Sequence, residues 1–567
     1  MRAGGARSRF GEHGLLGALV LIVGVFSVLP LARILIEAFA SPAGFSLRSW
    51  ARVLASPTTW IATQHSLETA FGGTLLAVII GAAMALVVAL TDIRGRNALV
   101  FCFVLPVMIA PQVTALAWLQ LFGPSSPILA AIGLAPPLGA KNPLYSRGGI
   151  ILLLGVQYAP LVFLTLRAGL RALPRELIEA ARAAGAGRWT ILRTIVLPLM
   201  QPALIAGVAL CFVSCLGNFG IPAFLGIPAN YLTLPTLIYQ RLSGLGPSVL
   251  SDVSVLSLLI GAVAMIGILA QNAMTGRRDA RIVTTSSAAQ PMELGPWRAP
   301  VEIGLWILAL AVLVLPFLAL LMTSLTPALG VPLNANTATS ANYAFVLFEH
   351  EGSRRAFRNS FALSFTAALV IVAIAVPLAY FIVWRGSKLL RALNAIVELP
   401  YALPGVVLSI AAVLLFLRPI PLVGFSIYNT VWIILFAYLA RFLVLGLRPV
   451  VSGYHQLDRA VEEAAQIAGA RLPKRIITVI LPLVAPAAAA GALLIFLTAF
   501  NELTVSALLW SSGAETLGVI VFAFEQGGDS GYAAAIATLT VLATIGLMAS
   551  TLLFARRLPQ GVLPWRD

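Results

Sequence analysis

The chain has 567 residues, 60% of them hydrophobic and only 10% charged, whereas soluble domains carry about a quarter charged residues. That composition excludes an ordinary soluble protein and calls for a bilayer. A net charge of +16 would suit a nucleic-acid partner if the basic residues formed one surface, but they fall between apolar runs instead.

Twelve apolar runs can be marked, each close to the roughly 17 to 25 residues that a helix needs to cross the hydrocarbon. In the first half they begin near Leu15, Phe71, Ala98, Ile150, Leu199 and Val253. After a polar stretch from Gln271 to Pro300 they begin near Ile303, Phe361, Ala395, Val431, Leu483 and Tyr532. With the N-terminus in the cytoplasm, most of the 37 Lys and Arg face that side, which is the bias that orients helical membrane proteins. Both termini are therefore expected in the cytoplasm, with membrane lipid and no nucleic acid as surroundings. The expected fold is all-α: a polytopic helical membrane protein with about 12 transmembrane helices as two parallel six-helix repeats.

The basic N-terminus and Leu15 to Leu31 read as an uncleaved first span, because no A-x-A-like site follows them cleanly. Pro106, Pro111, Pro400 and Pro404 interrupt spans three and nine, freeing carbonyls that either line a path or follow from simple kinks. Cys102, Cys211 and Cys215 all lie in apolar runs, which excludes a disulfide framework or a metal site of ordinary spacing. Cys211 and Cys215 share a helix face, where helix packing is the expected role.

The two halves repeat. Glu179-Ala180-Ala181, Gly185 and Ile195-Val196-Leu197-Pro198 recur as Glu463-Ala464-Ala465, Gly469 and Val479-Ile480-Leu481-Pro482, every element displaced by 284 positions. Upstream, His65-Ser66-Leu67 pairs with Asn359-Ser360-Phe361, and Leu105-Pro106 with Leu399-Pro400, at a displacement of 294. Six runs separate the copies, an even number, so both copies face one side of the membrane. An inverted repeat would place them on opposite sides.

The segment from Arg171 to Pro198 has its own structure. Pro174 suits the first turn of a helix, and Glu176 and Glu179 favour its N-terminal half. Alanines 180, 181, 183 and 184 extend the helix, Gly185 suits the left-handed corner, and Trp189 to Val196 form a second short helix. In the second copy Asp458 caps the helix, Glu462 and Glu463 occupy its early turns, and Gly469 makes the corner. Small alanines admit a close partner surface while nearby arginines and glutamates orient it, so the element reads as a docking knob. One such loop alone would be read as a plain connector.

The pattern E-A-A-x3-G-x9-I-x-L-P resembles the coupling loop of binding-protein-dependent ABC importer permeases, with Val479 in place of isoleucine in the second copy. The fused two-domain form is similar to the iron(III)-type permeases, themselves similar to thiamine and aminoethylphosphonate permeases. Asn218-Phe219-Gly220-Ile221-Pro222-Ala223, Leu399-Pro400-Tyr401-Ala402-Leu403-Pro404-Gly405 and Asn501-Glu502-Leu503 carry that resemblance. It implies the ABC importer type I permease fold, with an N-terminal span and external loop over 1–59 and a first permease domain over 60–271. A linker, span seven and an external loop follow over 272–353, then a second permease domain over 354–557 and a cytoplasmic tail over 558–567.

The resemblance further implies an inner-membrane transport subunit, not itself an enzyme, that works with two copies of an ABC ATPase subunit and an extracytoplasmic solute-binding protein. No cofactor or metal is expected on this chain; ATP and magnesium belong to the partner ATPase. The sequence agrees in lacking a G-x-x-x-x-G-K-[ST] phosphate loop. Glu176, Glu179, Ala180, Ala181, Gly185 and Pro198, with Glu462, Glu463, Ala464, Ala465, Gly469 and Pro482, are the expected coupling residues. The expected solute is iron(III), with aminoethylphosphonate, thiamine or a related small solute as alternatives. The competing class is an ATP-independent secondary transporter.

Ionisable groups within a bilayer are costly, which makes Glu502, beside Asn501 late in span eleven, a candidate path residue. By displacement the pair corresponds to Gly217 and Asn218. Glu502 either faces a cationic or ferric cargo or sits solvated at the outer interface. Arg441 in span ten is expected to snorkel to the cytoplasmic boundary, and Glu398 to be structural.

Overall fold

The computed structural model describes residues 2–41, 44–137, 139–171, 173–244, 246, 248–275, 293–419 and 424–554. The tail over 558–567 and most of the linker after span six therefore lie outside the described residues. Eleven helices among the described residues are long and apolar enough to cross a membrane, and a bent pair completes twelve. In chain order, spans one to six are Glu12–Ala38, Pro57–Leu90, Pro111–Ala131 preceded by Arg96–Met108, Arg147–Arg171, Trp189–Leu216 and Val249–Met274. Spans seven to twelve are Gly295–Ser324, Glu351–Arg385, the pair Leu389–Tyr401 and Gly405–Phe416, Val431–His455, Leu472–Phe500 and Ser530–Ser550. The single strand pair among the described residues, Ala40–Ser41 with Gly44–Phe45, is two residues long.

The repeat expected from sequence is a repeat of structure. Spans four and ten are each 25 residues long and keep the 284 displacement. Spans three and nine break at matching places, after Met108 and after Ala402, and resume at Pro111 and Gly405. In span nine the two pieces meet at 101°. Pro106 and Pro400 lie inside their helices, so the breaks fall just beyond them, at Ile109-Ala110 and Leu403-Pro404.

Small residues let the spans approach closely, as lipid-embedded helices require. A Cβ on Gly81 of span two would lie 2.5 Å from the Ala159 carbonyl oxygen of span four, and one on Gly155 of span four would lie 2.6 Å from Leu76. Cys211 and Cys215 are buried in span five with their sulfurs 3.9 Å apart, in keeping with packing.

Each half lends its first span to the other. Leu19 and Val23 of span one join the core formed by spans eight to eleven, Phe26 meets Phe436 at 5.3 Å, and the Arg33 Nε donates to the Leu414 carbonyl at 3.2 Å. Span seven packs on span three of the first half and on span twelve of its own, with Leu305, Val312 and Phe317 against a core that draws on both halves. At its start Arg298 pairs with Asp92 at 3.3 Å, and Glu302 accepts the Arg94 backbone N–H at 2.7 Å.

Candidate coupling loops and central cavity

After span four the chain turns through Arg175–Ala183 and corners at Gly185; after span ten it does the same through Ala460–Ile467 and Gly469. Both glycines have φ of +81°, a conformation costly for any residue with a Cβ. Gly185 N–H donates to the Arg182 carbonyl and Ala186 N–H to the Ala181 carbonyl; Gly469 and Ala470 donate likewise to Gln466 and Ala465. These paired bonds close the last carbonyls of each helix in a Schellman motif. Asp458 accepts the Ala460 backbone N–H at 2.9 Å from one position before the N-cap, which is Arg459, so the expected cap at Asp458 is shifted outward by one residue. One expectation is corrected: Trp189 to Val196 is no separate helix but runs through a π turn at Leu192–Val196 into span five. Ile476–Ile480 makes the same turn in the second copy, and Pro198 and Pro482 sit just beyond, where their missing N–H is tolerated.

Glu176, Glu179, Ala180, Glu463, Ala464 and both corner glycines are exposed, with Ala181 and Ala465 half-buried. Leu177, Val461 and Ile467 are exposed apolar residues on these helices, and Ile467 is 88% exposed. Sequence reasoning missed them, although Leu177 and Val461 are 284 positions apart and one turn before the alanines. Glu462 departs from expectation. It is buried, held by Arg475 Nε at 3.3 Å and by the Tyr380 hydroxyl, which donates at 3.2 Å. A carboxylate turned inward onto an arginine anchors the helix and presents nothing to a partner.

Between the halves lies a cavity of about 700 Å³, lined from both sides of the pseudo-axis by spans three, four, five, six, nine, ten and eleven. Arg441 and Arg448 of span ten both line it, two turns or about 10 Å apart. Arg448 lies nearer the end from which the coupling helix leaves. There it meets Glu398 at 3.2 Å with both side chains well exposed, which places Glu398 in the cavity wall.

Asn218, Asn501 and Glu502 meet in the same wall. Span eleven ends at Phe500, so Asn501 caps it and Glu502 starts the turn beyond, rather than both lying within the helix. Glu502 is only 7% exposed, which overturns the solvated alternative. Its Oε1 accepts Val505 N–H at 2.7 Å, its Oε2 accepts Ser506 N–H at 3.1 Å, and Arg441 Nη1 approaches Oε1 at 3.3 Å. Arg441 therefore does not snorkel. A Cβ on Gly405 would fall 1.7 Å from Arg441 Nη1, so glycine at the break in span nine is what admits the guanidinium.

Displacement identifies Gln157 as the counterpart of Arg441. Its Nε2 donates to the Pro106 and Ile109 carbonyls at 2.6 and 3.1 Å, satisfying acceptors freed by the break in span three. Asn218 Oδ1 accepts Ile221 N–H at 2.9 Å, as Glu502 does from Val505, while its Nδ2 donates to the Tyr158 hydroxyl at 2.7 Å. Asn501 Nδ2 donates to the Met108 carbonyl at 3.2 Å, and Gln112 Nε2 to the Asn501 carbonyl at 3.0 Å, joining the halves at that end. Among the described residues no cluster of three His, Cys, Asp or Glu could hold a metal.

Comparison with known proteins agrees with this geometry. The family described as "Binding-protein-dependent transport system inner membrane component" matches twice, over residues 73–325 and 371–563. A probable ABC transporter permease of Sinorhizobium fredii is 29% identical over 87% of this chain and 86% of its own length. A ferric transport system permease of Actinobacillus pleuropneumoniae is 25% identical over 96% of this chain and 78% of its own length. A probable molybdenum ABC transporter permease of Haloferax volcanii is 26% identical over 45% of this chain and 91% of its own length. The family sets aside the ATP-independent secondary transporter. Two matched repeats on twelve apolar helices make the chain a multi-pass inner-membrane protein of the binding-protein-dependent transport family, the permease subunit of an ABC importer with both permease domains in one polypeptide.

Proposed function

We propose that the two glycine-cornered loops are cytoplasmic levers, each gripped by one copy of a separate ATPase that binds ATP and magnesium, with both termini on the same side. An extracytoplasmic binding protein delivers the solute to the opposite face. Drawing the ATPases together moves the levers and biases the spans between states that open the central cavity to one side or the other. The observation that carries this reading is the duplicated corner, equal in φ and in hydrogen bonding, with an apolar residue exposed one turn before each alanine run. Native mass spectrometry of the solubilised complex is expected to find two ATPase copies per chain. One copy, or none, overturns it.

For the cargo we propose iron(III), supported by ferric permeases among the relatives. A second reading, an oxygen-rich anion such as aminoethylphosphonate, is favoured by the cavity wall. Its two carboxylates, Glu398 and Glu502, each face an arginine. Glu502 has its oxygens bonded within its own turn, whereas Arg441 uses one of five donors. Stimulation of ATP hydrolysis in proteoliposomes by a binding protein loaded with one solute or the other separates the readings.

A further inference from the structure

The second coupling helix is seated on charges that the first does not carry at the equivalent positions. Arg475, at the entry to span eleven, is 1% exposed, among the most buried large side chains of the chain. Its Nε lies 3.3 Å from Glu462 Oε1 on the coupling helix, and its Nη2 lies 3.1 Å from Glu12 Oε1 on span one. Glu12 Oε2 accepts from Arg385 Nη2 at 2.9 Å, at the end of span eight. The Tyr380 hydroxyl closes the ring, donating to Glu462 Oε1 and accepting from Arg385 Nη2 at 3.3 Å. Two carboxylates thus alternate with two guanidiniums across four elements, and Glu12 alone comes from the first half's lent span.

At the places equivalent to Glu462, Arg475, Tyr380 and Arg385 the first half has Ile178, Ile191, Leu86 and Thr91. Ile178 and Ile191 are buried and belong to the apolar core. At these equivalent positions van der Waals contact seats the first lever, whereas an ion cluster spanning both halves seats the second. Such a cluster is directional: it holds one geometry well, and a buried arginine that loses a carboxylate is left short of compensating charge.

We infer that Glu12 is a positioning residue for the second lever, clamping Arg475 and through it Glu462, so that the stroke of that lever is transmitted to span one and across the pseudo-axis. The two levers are then seated differently at these equivalent positions. This rests on the coupling-helix reading for its meaning, but the clamp itself can be tested without the ATPase. Docking is tested separately, by ATPase co-purification.

The test is amide hydrogen exchange on the full chain in lipid nanodiscs, comparing wild type, Glu12→Gln and Leu16→Ala. Leu16 packs in the same part of span one without charge. Glu12→Gln is expected to speed exchange over 458–471 by at least about threefold while leaving 174–187 unchanged, and Leu16→Ala to do neither. Unchanged exchange in Glu12→Gln, an equal rise in both loops or the same rise from Leu16→Ala would each overturn the proposal.

Discussion

Gln157 and Arg441 occupy the same position on spans four and ten, and each reaches into the break of the neighbouring interrupted span, one to close it and the other to hold it open. Gln157 satisfies the Pro106 and Ile109 carbonyls. Arg441 instead fills the space left by Gly405 and pairs with Glu502. The pseudo-symmetric cavity is thus polar in one half and ionic in the other.

That pair sets the first prediction. Glu502→Ala strips a buried arginine of its partner and removes the acceptor that fixes the turn at Val505 and Ser506, at a cost of about 3 kcal/mol. The double variant Arg441→Gln with Glu502→Gln recovers part of the loss, because neither charge is then left alone. Thermal unfolding in detergent reads both, and equal destabilisation by the single and double changes would contradict the pairing.

The corner glycines give the second. At φ of +81° alanine is tolerated at about 1 kcal/mol, whereas proline, fixed near −65°, cannot adopt the turn. Gly185→Pro and Gly469→Pro are expected to insert normally yet abolish ATP-driven uptake in proteoliposomes. Uptake at wild-type rates by both would remove the lever role.

Leu177→Asp and Val461→Asp form the third. Each places a charge in an exposed apolar site on a coupling helix, without disturbing the buried Ile178 or Glu462 beside it. Tagged permease carrying both changes should retain its melting temperature and lose at least about tenfold in co-purified ATPase. Retained ATPase would move the docking face elsewhere.

A fourth concerns acidity at the face opposite the coupling loops. Burial pushes the Glu515 carboxyl up, but the Arg355 guanidinium at 3.1 Å and the Gly513 backbone N–H outweigh it and hold the group below its ordinary value of 4.5. A carboxylate depressed on folding contributes stability that is present above the ordinary value and is lost as pH falls through the lower one. Arg355→Gln should therefore cost stability at pH 7 and progressively less as pH drops below about 4.5. A deficit independent of pH would show that the pair contributes through shape alone.

The spans, the parallel repeat and the glycine corners were legible because they rest on local rules: apolar length, an even number of crossings, and a backbone angle that few residues accept. The inward turn of Glu462 was not, because helix periodicity alone does not say which face meets Arg475, thirteen positions on. Arg441 was misjudged for a similar reason. A guanidinium near mid-span is read as seeking the interface unless its partner is known, and Glu502 lies sixty-one positions away, past the coupling loop. The 284 displacement could have flagged it, since aligning the halves sets Arg441 against Gln157 and Glu502 against Asn218, two substitutions toward opposite charge at facing positions.

Because span one packs into the second half through Leu19, Val23 and Phe26 and span seven packs on span three of the first, the chain is tied to itself twice over. A protease cut in the connection between spans six and seven should leave two fragments that still migrate as one particle, since each keeps a helix embedded in the other. The covalent join matters for assembly rather than cohesion: it supplies the two dissimilar halves in equal number and side by side, and so prevents either from pairing with a copy of itself.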